Sequence, residues 1–194
     1  TLTEAGRKSY EYAEEIFELY AEMENSVKEL TGDVSGALTL GASTTVAEYI
    51  LPNLLSGFTK KYPEIQLRLK VSNTEGIVSL IENSMIDLGI VEGPVTNKNL
   101  LVEVCRIDNL VVIISPEHEL GSRESISMDE LMRYPFICRE EGSGTRDVIL
   151  DYVNKMGLDK NNLNICLELG SPESIKGAVE AGMGVSIVSS ATIE

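Results

Sequence analysis

Ala37-Leu-Thr-Leu-Gly-Ala-Ser-Thr-Thr45, a helical stretch to Tyr62 and Ile65-Gln-Leu-Arg-Leu-Lys-Val71 form the unit that decides the fold, because the chain contains it twice. The second copy runs Pro135-Phe-Ile-Cys-Arg-Glu-Glu-Gly-Ser-Gly-Thr-Arg146, a helical stretch to Met156 and Leu163-Asn-Ile-Cys-Leu-Glu168. Each copy continues with a short helix and an apolar strand, Ile86–Val91 in one and Gly184–Val188 in the other. Strand, hydroxyl-rich loop, helix, strand, helix, strand is an α/β lobe. The sequence therefore predicts an α/β protein of two lobes with a cleft between them. The loops that open the long helices, Ser43-Thr44-Thr45 and Ser143-Gly144-Thr145-Arg146, are expected to face each other across that cleft around a small ligand.

The residues before this unit have a different character. Glu, Ala, Tyr and Leu dominate residues 1–31, which contain no proline. Ala13, Ile16, Tyr20, Met23, Val27 and Leu30 recur at alternating three- and four-residue steps, an a/d seam with glutamates outside it. Phe17 and Leu19 widen the apolar face. One reading packs this helix on its own domain; the favoured reading is a dimerising helix, because the seam is long and precedes the first lobe. Thr31-Gly32-Asp33 should end it.

Within the first lobe, Thr44 or Thr45 is expected to cap a helix carrying Val46, Ile50, Leu54 and Phe58 on one face. Pro52 lies inside that pattern and predicts a kink or a late start. Ile65, Leu67, Leu69 and Val71 alternate with Gln66, Arg68 and Lys70, so one face of this strand is buried and the other is wet or offered to a partner. Thr74 is expected to cap the helix of Ile77, Leu80 and Ile81. Gly93-Pro94 breaks the chain after the third strand. Two extended apolar runs, 100–107 and 110–114, should carry it to the second lobe. The predicted partition is 1–32, 33–107 and 108–194. A chain of this architecture returns to its first lobe after the last strand, so a stop at Glu194 reads as a truncated C-terminus.

Composition narrows the function. The net charge is −15, with 31 acidic against 16 basic residues. A free-standing nucleic-acid binder carries a basic face, and the sequence has none. No apolar run approaches a membrane span, and no secretion signal opens the chain. Cys105, Cys138 and Cys166 have no CxxC spacing, and His118 is the only histidine, so neither a metal site nor a cofactor is expected. Buried reduced thiols are favoured over a redox pair, which fits a cytoplasmic compartment. Catalysis lacks a candidate: no histidine stands near a nucleophile, and no phosphate-loop or dinucleotide fingerprint occurs.

The hydroxyl loops carry the site. Singly, Ser43, Thr44, Thr45, Ser143 and Thr145 read as helix caps. Together they are two equivalent helix N-termini, each offering N–H donors and partial positive charge to one cleft. Gly142 and Gly144 allow close backbone approach. Arg146, in a first helical turn where the dipole disfavours a cation, either neutralises a bound anion or pairs with Glu140 or Glu141. Ser171, ahead of Pro172, is a weaker third contributor. The expected ligand is a small anion: a sulfur oxyanion, a carboxylate or a phosphate ester.

These features, in this order, resemble the LysR-type transcriptional regulators. Leu2-Thr-Glu-Ala-Gly6 is similar to the tail of that family's winged helix-turn-helix domain, followed by its linker helix. Gly36–Ser43 is similar to its first effector-domain strand. Leu51-Pro52, the Phe58-to-Pro63 segment, Asp87-Leu-Gly-Ile90 and Gly182-Met-Gly-Val185 fall where the family pattern puts them. Glu140–Arg146 and Glu92-Gly-Pro94 resemble the branch of sulfur-assimilation and carbon-fixation regulators. The resemblance implies two periplasmic-binding-protein-like lobes of type II with an effector in the cleft, contacted by Ser43, Thr44, Thr45, Ser143, Gly144 and Thr145. It also implies a dimer or tetramer, with operator DNA bound only through a domain absent from these residues. The competing readings are a secreted solute-binding protein of similar fold and an α/β enzyme. The seam in residues 13–30 argues against the first, since a transport receptor has no use for it.

Overall fold

A computed structural model of the chain describes residues 2–31 and 34–193. The expected helix stop at Gly32-Asp33 lies outside these residues, as does the side chain of Leu30.

Helix α1 (Glu4–Thr31) is a single uninterrupted helix. Its apolar seam is largely uncovered: Ile16, Tyr20, Met23 and Val27 are each more than half exposed, Phe17 is 74% exposed, and Ala13 is half-buried.

The first lobe is built on strand β1 (Gly36–Ser43), which lies between β2 (Ile65–Ser72) and β3 (Leu88–Ile90), all parallel. Central β1 buries Leu40, Ala42 and Ser43 at its C-terminal end. Helix α2 (Leu51–Lys61) covers one face, where Ala42, Val46 and Leu51 form a small core, and α3 (Thr74–Glu82) covers the other through Ile77. Pro52 has the expected effect by an unexpected route. The chain enters α2 through a wide π-turn, Val46–Ile50, in which the Leu51 N–H reaches back to the Val46 carbonyl. Pro52 lacks an N–H and its ring crowds a preceding carbonyl, so the wider turn takes up the strain. β2 is an edge strand. Its Ile65 and Leu67 are half-buried, but Leu69 and Val71 are exposed, so the alternation is covered only in its first half.

Residues 101–109 adopt no regular secondary structure, and Leu101, at 91%, is the most exposed of their large apolar side chains. Only the second of the two apolar runs becomes a strand, β4 (Leu110–Ile113).

The second lobe contains β4, α4 (Met128–Leu131), β5 (Phe136–Arg139), α5 (Gly144–Lys155), β6 (Ile165–Leu169), α6 (Pro172–Glu180) and β7 (Ser186–Ser189). β5 pairs in parallel with β6, and β7 pairs antiparallel with β4. A parallel bridge between Phe136 and Val185 joins the two pairs, giving the order β6-β5-β7-β4. Gly184 permits this join, since a Cβ there would lie 2.3 Å from the Pro135 carbonyl oxygen. β5 is buried throughout, and its alternate residues serve two cores. Phe136 and Cys138 pack with Ile149, Val153 and Leu163, while Ile137 packs with Ile175, Val179 and Val188 on the α6 side. This is the period-two signature of a sheet covered on both faces.

The cysteine expectation needs correction. Cys138 is buried, but Cys105 and Cys166 are exposed. A register shift between Phe136 and Ile137 leaves Cys166 as the extra residue opposite β5, and this irregularity turns it out of the core. Among the described residues, no helix is long and apolar enough to cross a membrane.

Candidate functional site in the interlobe cleft

Both hydroxyl loops sit at C-terminal ends of buried strands: Ser43 ends β1, and the 140–145 loop follows β5. The lobes meet there. Asn73 Nδ2 donates to the Glu141 carbonyl at 2.9 Å, and the Glu75 N–H donates to the Gly142 carbonyl at 3.1 Å. The Gly144 N–H donates to Thr74 Oγ1 at 3.2 Å, while Thr74 Oγ1 donates to the Glu92 carbonyl at 2.9 Å. Farther along, the Tyr49 hydroxyl donates to Glu173, which also pairs with Lys176.

Thr45 from the first lobe, and Arg139, Thr145, Ser189 and Thr192 from the second, line one small cavity with Ile175 as its apolar floor. Its volume is about 10 Å³, room for about one water molecule. Thr45 and Thr145 are buried yet neither caps its helix. The Thr145 hydroxyl instead donates to Glu92 Oε2 at 3.4 Å, and the Ser43 hydroxyl to the same oxygen at 3.5 Å. Ser143 occupies the N-cap position of α5 but makes no side-chain cap bond. Thr44 is half-buried and outside the cavity wall.

Two expected contributors lie elsewhere. The Arg146 guanidinium turns away from the cavity and pairs with Glu168 at 2.5 Å, with Glu141 at 3.8 Å and with the Arg139 carbonyl at 3.0 Å. The pairing with Glu141 was one of its two expected roles, and these partners account for its place in the first turn without a ligand. Ser171 is a plain helix cap, accepting the Ser174 N–H at 3.2 Å. Thr74, unlike Ser171, is not a cap: Asn73 Oδ1 accepts the Gly76 N–H at 2.9 Å, which frees the Thr74 hydroxyl to bridge the lobes.

The positive charge at the cavity is Arg139. It is 4% exposed and held by Glu140 through Nε–Oε2 at 2.8 Å and Nη2–Oε1 at 2.9 Å. The negative charge next to it is Glu92, which accepts the hydroxyl of the cavity-lining Thr145. Burial pushes its carboxyl above the ordinary range; Thr45 and Arg139 pull it back, Asp108 adds to the rise, and Thr145 opposes it. Neither residue stands out by sequence pattern. Each is a charged residue at the loop-side end of an apolar strand, and that placement is the signal that points to them.

Residues 31–194 match the LysR substrate binding domain. The chain belongs to the LysR family. It is 34% identical over its whole length to a RuBisCO operon transcriptional regulator of Allochromatium vinosum, and spans 63% of that protein. It is 37% identical, over 99% of its length, to a probable RuBisCO transcriptional regulator of Emiliania huxleyi, of which it spans 62%. Among solved structures it is similar to the CcmR regulatory domain of Synechocystis PCC6803 in complex with 2-PG. That match has 38% identity and a TM-score of 0.74, and covers 82% of this chain and 74% of that one. The LysR fold of two periplasmic-binding-protein-like lobes of type II is thus the fold of this chain.

Proposed function

We propose that this chain is the effector-sensing and oligomerisation region of a LysR-type transcriptional regulator, and that it binds a small anion between its lobes. One observation carries the reading: Thr45 and Thr145, a hydroxyl from each lobe, meet beside the buried Arg139 guanidinium in a single cavity. Hydroxyls and a guanidinium fixed around one small space suit a charged oxygen ligand. The CcmR domain binds 2-phosphoglycolate, which carries both a phosphate ester and a carboxylate. Effectors of that kind, or sulfur oxyanions, fit the same chemistry.

Family membership supports a wider reading. Residues 1–32 serve as linker and dimerisation helix, 33–107 as the first effector lobe and 108–194 as the second. The assembly is a dimer or tetramer in the cytoplasm. Operator DNA is contacted by a part of the whole protein outside these residues, in keeping with their net charge of −15. The region senses rather than catalyses. The exposed seam on α1 favours a regulator over a solute-binding receptor, which needs no such face.

Calorimetric titration with 2-phosphoglycolate, sulfate and thiosulfate tests this. A hydrogen bond to a charged oxygen contributes about 1.5–3 kcal/mol, so Thr45→Ala and Thr145→Ala should each weaken binding by roughly ten- to a hundredfold. The reading is lost if both variants bind as tightly as the parent.

A further inference from the structure

Glu92 lies where a bound anion's charge would have to sit. Its carboxylate receives the Ser43 hydroxyl from one lobe and the Thr145 hydroxyl from the other, beside Thr45 and attracted by Arg139. These are the donors that the proposed effector would use. The cavity that Thr45, Arg139 and Thr145 line has a volume of about 10 Å³, room for about one water and too little for an anionic group while the Glu92 carboxylate holds the Thr145 hydroxyl.

The backbone of the same residue closes the cleft from behind. Its carbonyl accepts the Thr74 hydroxyl, and Thr74 accepts the Gly144 N–H, so one donor of the α5 N-terminus is already committed. Gly93 follows with φ +79, and a Cβ on Gly93 would meet Gly144 Cα at 2.8 Å. The Glu92 backbone is therefore pinned, and only its side chain is free to swing out.

We propose that Glu92 is an internal competitor: its carboxylate occupies the effector's anion position and holds the lobes together without ligand, and an effector binds by evicting it. The inference rests on the anion-site reading above and adds a selectivity to it. A ligand with a single anionic group exchanges one charge for another and gains little. A ligand with two anionic groups replaces the carboxylate with one of them and adds contacts through the second. The cleft therefore favours small molecules with two separate anionic groups over simple oxyanions.

The experiment titrates the parent chain and Glu92→Gln with sulfate and with 2-phosphoglycolate. Gln keeps the size of Glu and one oxygen able to accept both hydroxyls, which converge on a single oxygen of Glu92, but removes the competing charge. Sulfate should bind the variant about tenfold or more tighter than the parent, and the parent's preference for 2-phosphoglycolate over sulfate should shrink. Melting curves run alongside. Should the Gln variant not fold, Glu92→Asp, which withdraws the carboxylate from Ser43 and Thr145 by one methylene, is expected to shift sulfate affinity in the same direction. If the parent binds these anions but removing or withdrawing the charge leaves sulfate affinity unchanged or weaker, the competitor role is overturned and the anion site stands. If neither parent nor variant binds either anion, both the site and the competitor fall.

Discussion

A Cβ placed on Gly144 would lie 1.9 Å from the carbonyl oxygen of Glu92 and 2.7 Å from the Thr74 hydroxyl. The first residue of α5 and the second residue after the first lobe's third strand thus touch through backbone alone. Gly144→Ala should force the lobes apart at this point. The added methyl should cost about 1–3 kcal/mol and enlarge the radius of gyration in small-angle scattering. A variant with the parent's scattering profile and anion affinity would show that the contact is not made in solution.

Glu92 also ties stability to pH. Burial raises its carboxyl above the ordinary range, so between its unfolded and folded values the folded chain holds the proton more tightly than the unfolded chain. Its contribution is therefore most favourable at low pH and is lost as pH rises through the raised value. Glu92→Gln should melt higher than the parent at neutral pH, and the gap should narrow towards about pH 4. Each kcal/mol gained would be read as about 2–4 °C. A gap that widens on acidification contradicts the assignment.

The two arginines of the 139–146 segment should separate cleanly in binding assays. Arg139→Lys keeps the charge but loses the planar fork that meets Glu140, and should weaken anion binding by about tenfold or more. Arg146→Ala removes a partly exposed pair with Glu168, worth at most about 1 kcal/mol, and should leave affinity within about threefold. The reverse outcome would place the ligand on the β5–β6 edge instead of in the cleft.

These arginines also mark how far the sequence is legible. The repeated strand–loop–helix–strand unit is plain, because apolar alternation and helix-opening hydroxyls are local signals. Thr45 and Thr145 follow from it, since each sits at the same point of its unit. Arg139 and Glu92 are not read this way: what brings them together is the docking of one lobe on the other, a long-range event that no local period encodes. Arg146 shows the converse. Its helix-terminal position reads as a ligand contact only until Glu168, on the neighbouring strand, is seen to hold it. Thr74 yields its expected cap to Asn73 for a similar reason, because a cap is satisfied by whichever side chain lies nearer the right geometry, while Ser171 keeps its cap and so contributes nothing to the cleft.

Helix α1 carries its apolar seam in the open, and self-association is the expected use. Ile16→Glu and Met23→Glu should each dissociate at least one interface, seen as a fall in sedimentation coefficient at micromolar concentration. An unmutated chain that sediments as a monomer under those conditions removes the basis for this expectation.

The antiparallel pairing of β4 with β7 joins Leu110 to Ser189, across nearly all of the second lobe, whereas the three described strands of the first lobe all lie between Gly36 and Ile90. Non-local pairings of this kind form slowly, because a long loop must close before any contact compensates for it. During synthesis the first lobe's sheet can assemble behind the ribosome while β4, with Val111 and Val112, still waits for a partner. Ser189 and Thr192, which line the cavity, come last in these residues, so the cleft cannot take shape until β7 has been made and has paired with β4.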